Sequence, residues 1–168
     1  MSNLVYLISS LPALSYGQIP PITLEEFNND ASKQLSVKQF QTLEQVDLRR
    51  MKSTFKYGDA KAISDMLNDL QIDISEMRKA NTQHRGAKLK ALPKEVVNAN
   101  PLEREKLIMY WQWGELDTIE ANKPFTFSEV LVYKLKLQIL CRLQSFNEKE
   151  GAKVLASVVD PNINKKKE

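Results

Sequence analysis

The chain has 168 residues, with 24 Lys or Arg against 21 Asp or Glu and a formal net charge of +3. A content of 42% hydrophobic and 27% charged residues excludes an intrinsically disordered chain and fits one globular domain with a real core. Only 5 Gly and 7 Pro disfavour a turn-rich all-β chain, so helices are expected.

The first element, residues 3–11, is a short apolar run ending at Pro12, and periodicity over so few residues does not separate helix from strand. No Lys or Arg precedes it, and the first basic residue is Lys33, so a secretory signal is not expected. Gly17 and Pro20-Pro21 mark a loop. Four helix-start signatures follow along the chain. In each, a small polar side chain accepts from a free backbone N–H, and an acid or amide three residues on reaches back. They are Thr23-Leu24-Glu25-Glu26, Ser36-Val37-Lys38-Gln39, Asn100-Pro101-Leu102-Glu103 and Thr126-Phe127-Ser128-Glu129. In the third, Pro takes the first helical position, where its missing N–H does no harm.

After Ser36, the residues Val37, Phe40, Leu43, Val46, Met51 and Phe55 have the spacing of one buried helical stripe. Gly58 is a candidate C-cap, and Asp59 opens another helix with Ile63, Met66, Leu67 and Leu70 inward. Residues 74–82 are compatible with a helix, and 83–93 read as a loop or a poorly ordered helix. A turn at 94–99 leads to a helix over 101–121, and Pro124 breaks the chain. The strongest helix is 127–146. Its stretch Leu135–Ile139 alternates like a strand, but no Gly or Pro interrupts residues 125–150. On that helix Lys134, Gln138 and Arg142 form one narrow polar stripe, and Lys136 falls on an otherwise apolar side. Lys136 either snorkels past the core or faces a partner's carboxylate. A last helix is expected over 148–159, then a polar tail. Without the tail residues Lys165, Lys166, Lys167 and Glu168 the body carries 21 basic against 20 acidic residues, so the pI near 8.9 overstates its basicity. No apolar stretch reaches the ~18–20 residues of a membrane span.

The motifs of catalysis are missing from this sequence. His84 is the only His, and it sits in a polar loop segment, which excludes a two-His metal site. Cys141 is the only Cys, so it makes no internal disulfide, anchors no Cys-based metal site and reads as a small core residue. A reducing, cytoplasmic setting fits it best. The isolated glycines 17, 58, 86, 114 and 151 form neither a P-loop nor a dinucleotide fingerprint. No enzyme activity, cofactor or metal is therefore expected. Two features point to binding. Between Arg78 and Lys94 the cations Arg78, Lys79, Arg85, Lys88, Lys90 and Lys94 occur without any acid, which marks a solvated loop, a surface for an acidic protein or a phosphate surface. Trp111 and Trp113 stand two apart, so on a helix they face different ways and one is free to anchor an interface.

Tyr6-Leu7-Ile8-Ser9-Ser10-Leu11-Pro12, followed by Pro20-Pro21-Ile22-Thr23-Leu24-Glu25-Glu26-Phe27, resembles the opening of an uncharacterised bacterial family associated with V/A-type ATPases. Leu131–Leu143, with Tyr133 and Arg142, is similar to that family's C-terminal helix. The resemblance spans residues 4–27, 43–50 and 101–151. It implies a non-catalytic subunit or accessory protein of the rotary ATPase, related to its C/d-type adaptor. That adaptor is all-helical and joins the central stalk to the membrane rotor ring, in a complex that carries out ion or proton transport. The chain departs from the pattern at Gln138, where Glu is expected, and is shorter than the three-domain adaptor.

The expected architecture is all-α, a single irregular helical bundle of about six helices over residues 1–160, with 161–168 a disordered basic tail. The partner-contact candidates are Trp111, Trp113, Lys134, Lys136, Gln138, Arg142, Arg85 and Lys88. The expected partners are other rotary-ATPase subunits, with the protein cytoplasmic or peripheral at the inner face of the membrane. The alternative is a nucleic-acid-binding or other helical interaction module that uses the basic stretch 78–94.

Overall fold

A computed structural model describes residues 3–49, 55–56 and 58–159, apart from the side chains of 154, 157 and 159. The described residues form six α-helices and one 3-10 turn, with no strand. The helices are α1 (Leu4–Ser10), α2 (Leu24–Gln34), α3 (Val37–Gln45), α4 (Lys61–Thr82), α5 (Pro101–Glu120) and α6 (Phe127–Val159), and the 3-10 turn spans Lys94–Val96. The fold is an all-α bundle. The tail 161–168 and Met51 lie outside the described residues.

The capping chemistry explains several helix starts. Thr23 and Ser36 each form the full reciprocal box, with Glu26 and Gln39 answering. Asn100 accepts from Glu103 N–H at 2.9 Å with Pro101 behind it. The fourth expected box does not form. The Thr126 hydroxyl instead donates to Lys123 O at 2.8 Å, and the Glu129 carboxylate accepts from Phe125 N–H at 2.7 Å. Phe125 is left-handed at φ 57°, and the Glu129 N–H donates to Thr126 O at 3.1 Å rather than to the Thr126 hydroxyl. The N-terminal run is a helix, capped by Asn3 accepting from Tyr6 N–H.

Three expected helix boundaries move. The helix after Ser36 ends at Gln45 rather than running to Phe55. The cause lies on α6: the Lys134 ammonium donates to Leu43 O and Val46 O, each at 2.7 Å, and so closes the C-terminal turn of α3. Val37, at the first turn, is 77% exposed rather than inward. Helix α4 is continuous for 22 residues and includes 74–82. It starts without Asp59 as a cap, because the Asp59 carboxylate accepts from the buried Ser128 hydroxyl at 3.1 Å. Helix α6 is continuous for 33 residues, so the expected break near 147 is absent.

Helix α6 organises the bundle. Val130, Leu131, Val132, Leu135, Leu137 and Ile139 are fully buried, which is more of the circumference than one stripe supplies. Helices α1, α2 and α5 all pack on it, α5 most extensively. Tyr133 fastens the N-terminal segment to it: its ring stacks on Phe27, and its hydroxyl donates to Pro12 O at 2.7 Å. Burial pushes the Tyr133 phenol up to about 12, so it stays a donor at any ordinary pH. One hydrophobic cluster runs through all six helices. Among the described residues no helix is long and apolar enough to cross a membrane.

Candidate functional site

The polar stripe of α6 faces inward and sideways, toward other parts of the same chain. Lys134 closes α3. One turn later, Gln138 Oε1 accepts from Leu48 N–H at 2.9 Å, and its amide donates to Asp47 Oδ2 at 3.0 Å. One further turn on, Arg142 grips Glu105 of α5 through Nε at 2.7 Å and Nη2 at 3.3 Å. This two-pronged contact holds the guanidinium of Arg142 above its ordinary value, chiefly through the hydrogen bond. The stripe therefore ties α6 in succession to the end of α3, the segment after it, and α5.

Lys136 lies off that stripe and is only 8% exposed. Its ammonium pairs with Asp117 and Glu120, both on α5, and sits 5.0 Å from the ring centroid of Trp113. The carboxylates that Lys136 meets thus belong to its own chain. Trp113 is buried, with Tyr16 against it edge-on at 5.4 Å, and Tyr16 in turn meets the exposed Tyr110 at 5.2 Å. The Tyr16 phenol is raised by burial and then by Tyr110. Trp111, two residues from Trp113, points elsewhere and is half-buried against the core.

The acid-free basic run folds back along an acidic face of α4. Asp69, Asp73 and Glu76 share that face at helical spacing. The Arg85 guanidinium donates to both Glu76 oxygens, at 2.6 and 3.2 Å, and Lys90 pairs with Asp69 at 3.4 Å. Glu76 also accepts from Lys88 N–H at 3.2 Å, while the Lys88 side chain is exposed. Arg85 and the Lys88 amide hold the Glu76 carboxyl down at about 2. Asp73 is 1% exposed and accepts from the N–H groups of Lys90, Ala91 and Leu92 at 2.9, 2.8 and 2.8 Å. Burial raises the Asp73 carboxyl, but the three amides and Lys90 together outweigh it, and the net shift is downward. At the end of α4, His84 is exposed and left-handed at φ 52°, while Arg85 N–H closes the helix onto Ala80 O at 3.0 Å.

Gln138 and Arg142 also edge a groove of about 540 Å³ between α4, α5 and α6, with Leu24 of α2 and residues 47–49 at its margin. Its walls include Leu70, Ile74, Ile108, Met109, Gln112 and Cys141. The thiol of Cys141 is half-buried there and raised by burial, the opposite of an activated nucleophile. Among the described residues, no group of three His, Cys, Asp or Glu stands where it would hold a metal ion.

Sequence reasoning missed Asp47, Asp73, Gln112, Asp117 and Glu120 as organising residues. Gln112 had a readable signal: it lies three residues after Met109 and four before Leu116, a polar residue on an apolar stripe. Asp73 had none, because its partners are backbone amides far along the chain.

No curated protein and no solved structure matches the chain. Residues 72–165 match a family model described as a protein of unknown function, DUF2764, and the match runs from the second half of α4 through all of α5 and α6. It covers more than half of the sequence and includes the helices that build the groove and the α5–α6 ion pairs, and so the chain belongs to the DUF2764 family.

Proposed function

We propose that the chain is a non-catalytic helical coupling protein of a bacterial V/A-type rotary ATPase, acting like the C/d-type adaptor between the central stalk and the membrane rotor ring. The observation that carries this reading is the form of α6. Its 33 residues span about 50 Å at ~1.5 Å per residue. Residues 127–146 lie in the bundle, whereas every described side chain from Asn147 onward is exposed, including Leu155 at 64% and Val158 at 70%. Leu155 and Val158 lie three apart, on one side of the projecting end. A rod anchored in a core and ending in an apolar edge suits a part that hands force to a neighbour. The identity of the assembly comes from the resemblance in residues 4–27 and 101–151.

In this reading the work is mechanical. Torque passes through the packed α5–α6 pair, and the cross-links Arg142–Glu105 and Lys136–Asp117/Glu120 oppose sliding of one helix along the other. Nucleic-acid binding through 78–94 draws less support, because Glu76 and Asp69 already pair with Arg85 and Lys90. The test is affinity purification from native membranes in a mild detergent. Co-recovery of stalk or rotor-ring subunits is expected. Recovery without any rotary-ATPase subunit, under conditions that keep that complex whole, ends the proposal.

A further inference from the structure

The groove between α4, α5 and α6 contains a polar group that the fold itself leaves unused. Gln112 is 2% exposed, yet its carboxamide makes no hydrogen bond among the described residues. Among those residues no fully buried side-chain N or O lacks a partner, so the small exposed remainder of Gln112 falls on its amide, which opens into the groove. An amide that the fold leaves without a protein partner, and that reaches the groove, is available to pair with a ligand in place of water. Leu70, Ile74, Ile108 and Met109 give the walls an apolar face, with Gln71 and Ser145 beside it and charged residues at the rim. Its volume of about 540 Å³ falls within the ~300–1,000 Å³ of small-ligand sites.

The rim selects against net charge. Among the described residues that line the opening, Asp47 and Glu105 balance Arg49 and Arg142, and Glu105 and Arg142 already pair with each other. A ligand with a net charge meets a like charge on this rim as readily as an opposite one. Gln112 offers one donor group and one acceptor, and the matching edge is a neighbouring N–H and C=O.

We propose that this groove is a binding site for a neutral, mainly apolar ligand whose amide or lactam edge pairs with Gln112. The same chemistry occurs in free small amides and in a peptide bond beside an apolar side chain. The inference is independent of the rotary-ATPase reading, since it concerns the groove alone.

The test uses the ¹⁵N-labelled 168-residue chain, with the Gln112 side-chain amide signals assigned by their loss in Gln112→Leu. Benzamide, benzoate, N-acetyl-leucinamide and a blocked leucine tripeptide are titrated in separate arms. Benzamide and N-acetyl-leucinamide are expected to shift the Gln112 signals saturably. Benzoate is expected to bind at least about tenfold more weakly than benzamide, and Gln112→Leu, read on the backbone amide signals of the groove residues, to weaken benzamide by about the same factor. Ser145→Phe, which narrows the groove from α6, is expected to abolish the shifts and keeps the test valid if Gln112→Leu does not fold. A tripeptide that binds at least ~10-fold tighter than N-acetyl-leucinamide identifies a polypeptide as the source, and equal binding identifies a free amide. The absence of saturable shifts, equal binding of benzoate, or unchanged binding to Gln112→Leu overturns the proposal.

Discussion

The Gln138 side chain makes two hydrogen bonds of opposite sense, and an ionised carboxylate cannot make both. Its oxygen accepts from Leu48 N–H and its nitrogen donates to Asp47. An ionised Glu at this position keeps the acceptor but loses the donor and sets two carboxylates face to face. Gln138→Glu is therefore expected to destabilise the fold by about 1–2 kcal/mol at neutral pH, measured by urea unfolding. The new carboxyl has a folded pKa above its unfolded one, so the penalty is present at neutral pH and fades as pH falls toward about 4. An unchanged urea midpoint across that range would contradict the role given to Gln138. The residue scale also explains why the stripe Lys134–Gln138–Arg142 is polar on so apolar a helix. Each head group meets backbone or side-chain partners that come from elsewhere in the chain.

Helix α4 and the loop after it depend on each other. The loop 83–93 has no strand or helix to satisfy its backbone, and Asp73 takes three successive N–H groups in its place. Asp73→Asn leaves one oxygen where two accepted and turns an amide NH2, itself a donor, toward the backbone N–H groups. The expected cost is about 1–3 kcal/mol, read from chemical denaturation at neutral pH. The pH dependence follows from the same contacts. The folded carboxyls of Asp73 and Glu76 lie below their ordinary values, Glu76 at about 2 against 4.5. Their contribution is complete above the ordinary carboxyl range and is lost as pH falls through the folded values. Stability is expected to decline between about pH 4.5 and 2, and Asp73→Asn to decline less over that interval than the parent chain. Equal slopes for the two proteins would remove Asp73 from this account. The long α4 also shows where periodicity has limits: the apolar positions Ile63 to Leu70 marked its first part, whereas residues 74–82 are held by the loop that folds back over them.

At the scale of the whole molecule, α6 divides into a buried part and a projecting part. The first 20 residues, 127–146, carry the packing, and the described side chains beyond are exposed. A chain ending at Asn147 is expected to keep its unfolding free energy within about 0.5 kcal/mol, because it gives up no described core contact. In the coupling reading, the same truncation loses the rotary-ATPase subunits from the affinity-purified complex. A truncated chain that is folded but still recovers those subunits would move the interface off Leu155 and Val158. A truncated chain that unfolds would show that the projecting end is part of the core.

The sequence by itself determined the helical class, the starts at Thr23, Ser36 and Asn100, and the central place of 127–146. These depend on local chemistry: a cap reaches three residues, and an apolar face repeats every three to four. The failed cap at Thr126 marks the edge of that rule, since its hydroxyl turns to Lys123 O and the Glu129 carboxylate to Phe125 N–H. The tertiary structure alone decided where α3 stops, because the ammonium that closes it lies about 90 residues away on α6. It also decided that the basic run is matched by acids of α4, that Lys136 faces carboxylates of its own chain, and that Gln112 opens into a groove. Charge runs and apolar stripes can be read along the chain, but the partner that neutralises or covers them is chosen by packing between distant segments. That choice depends on which helices meet, and no short window of sequence contains it.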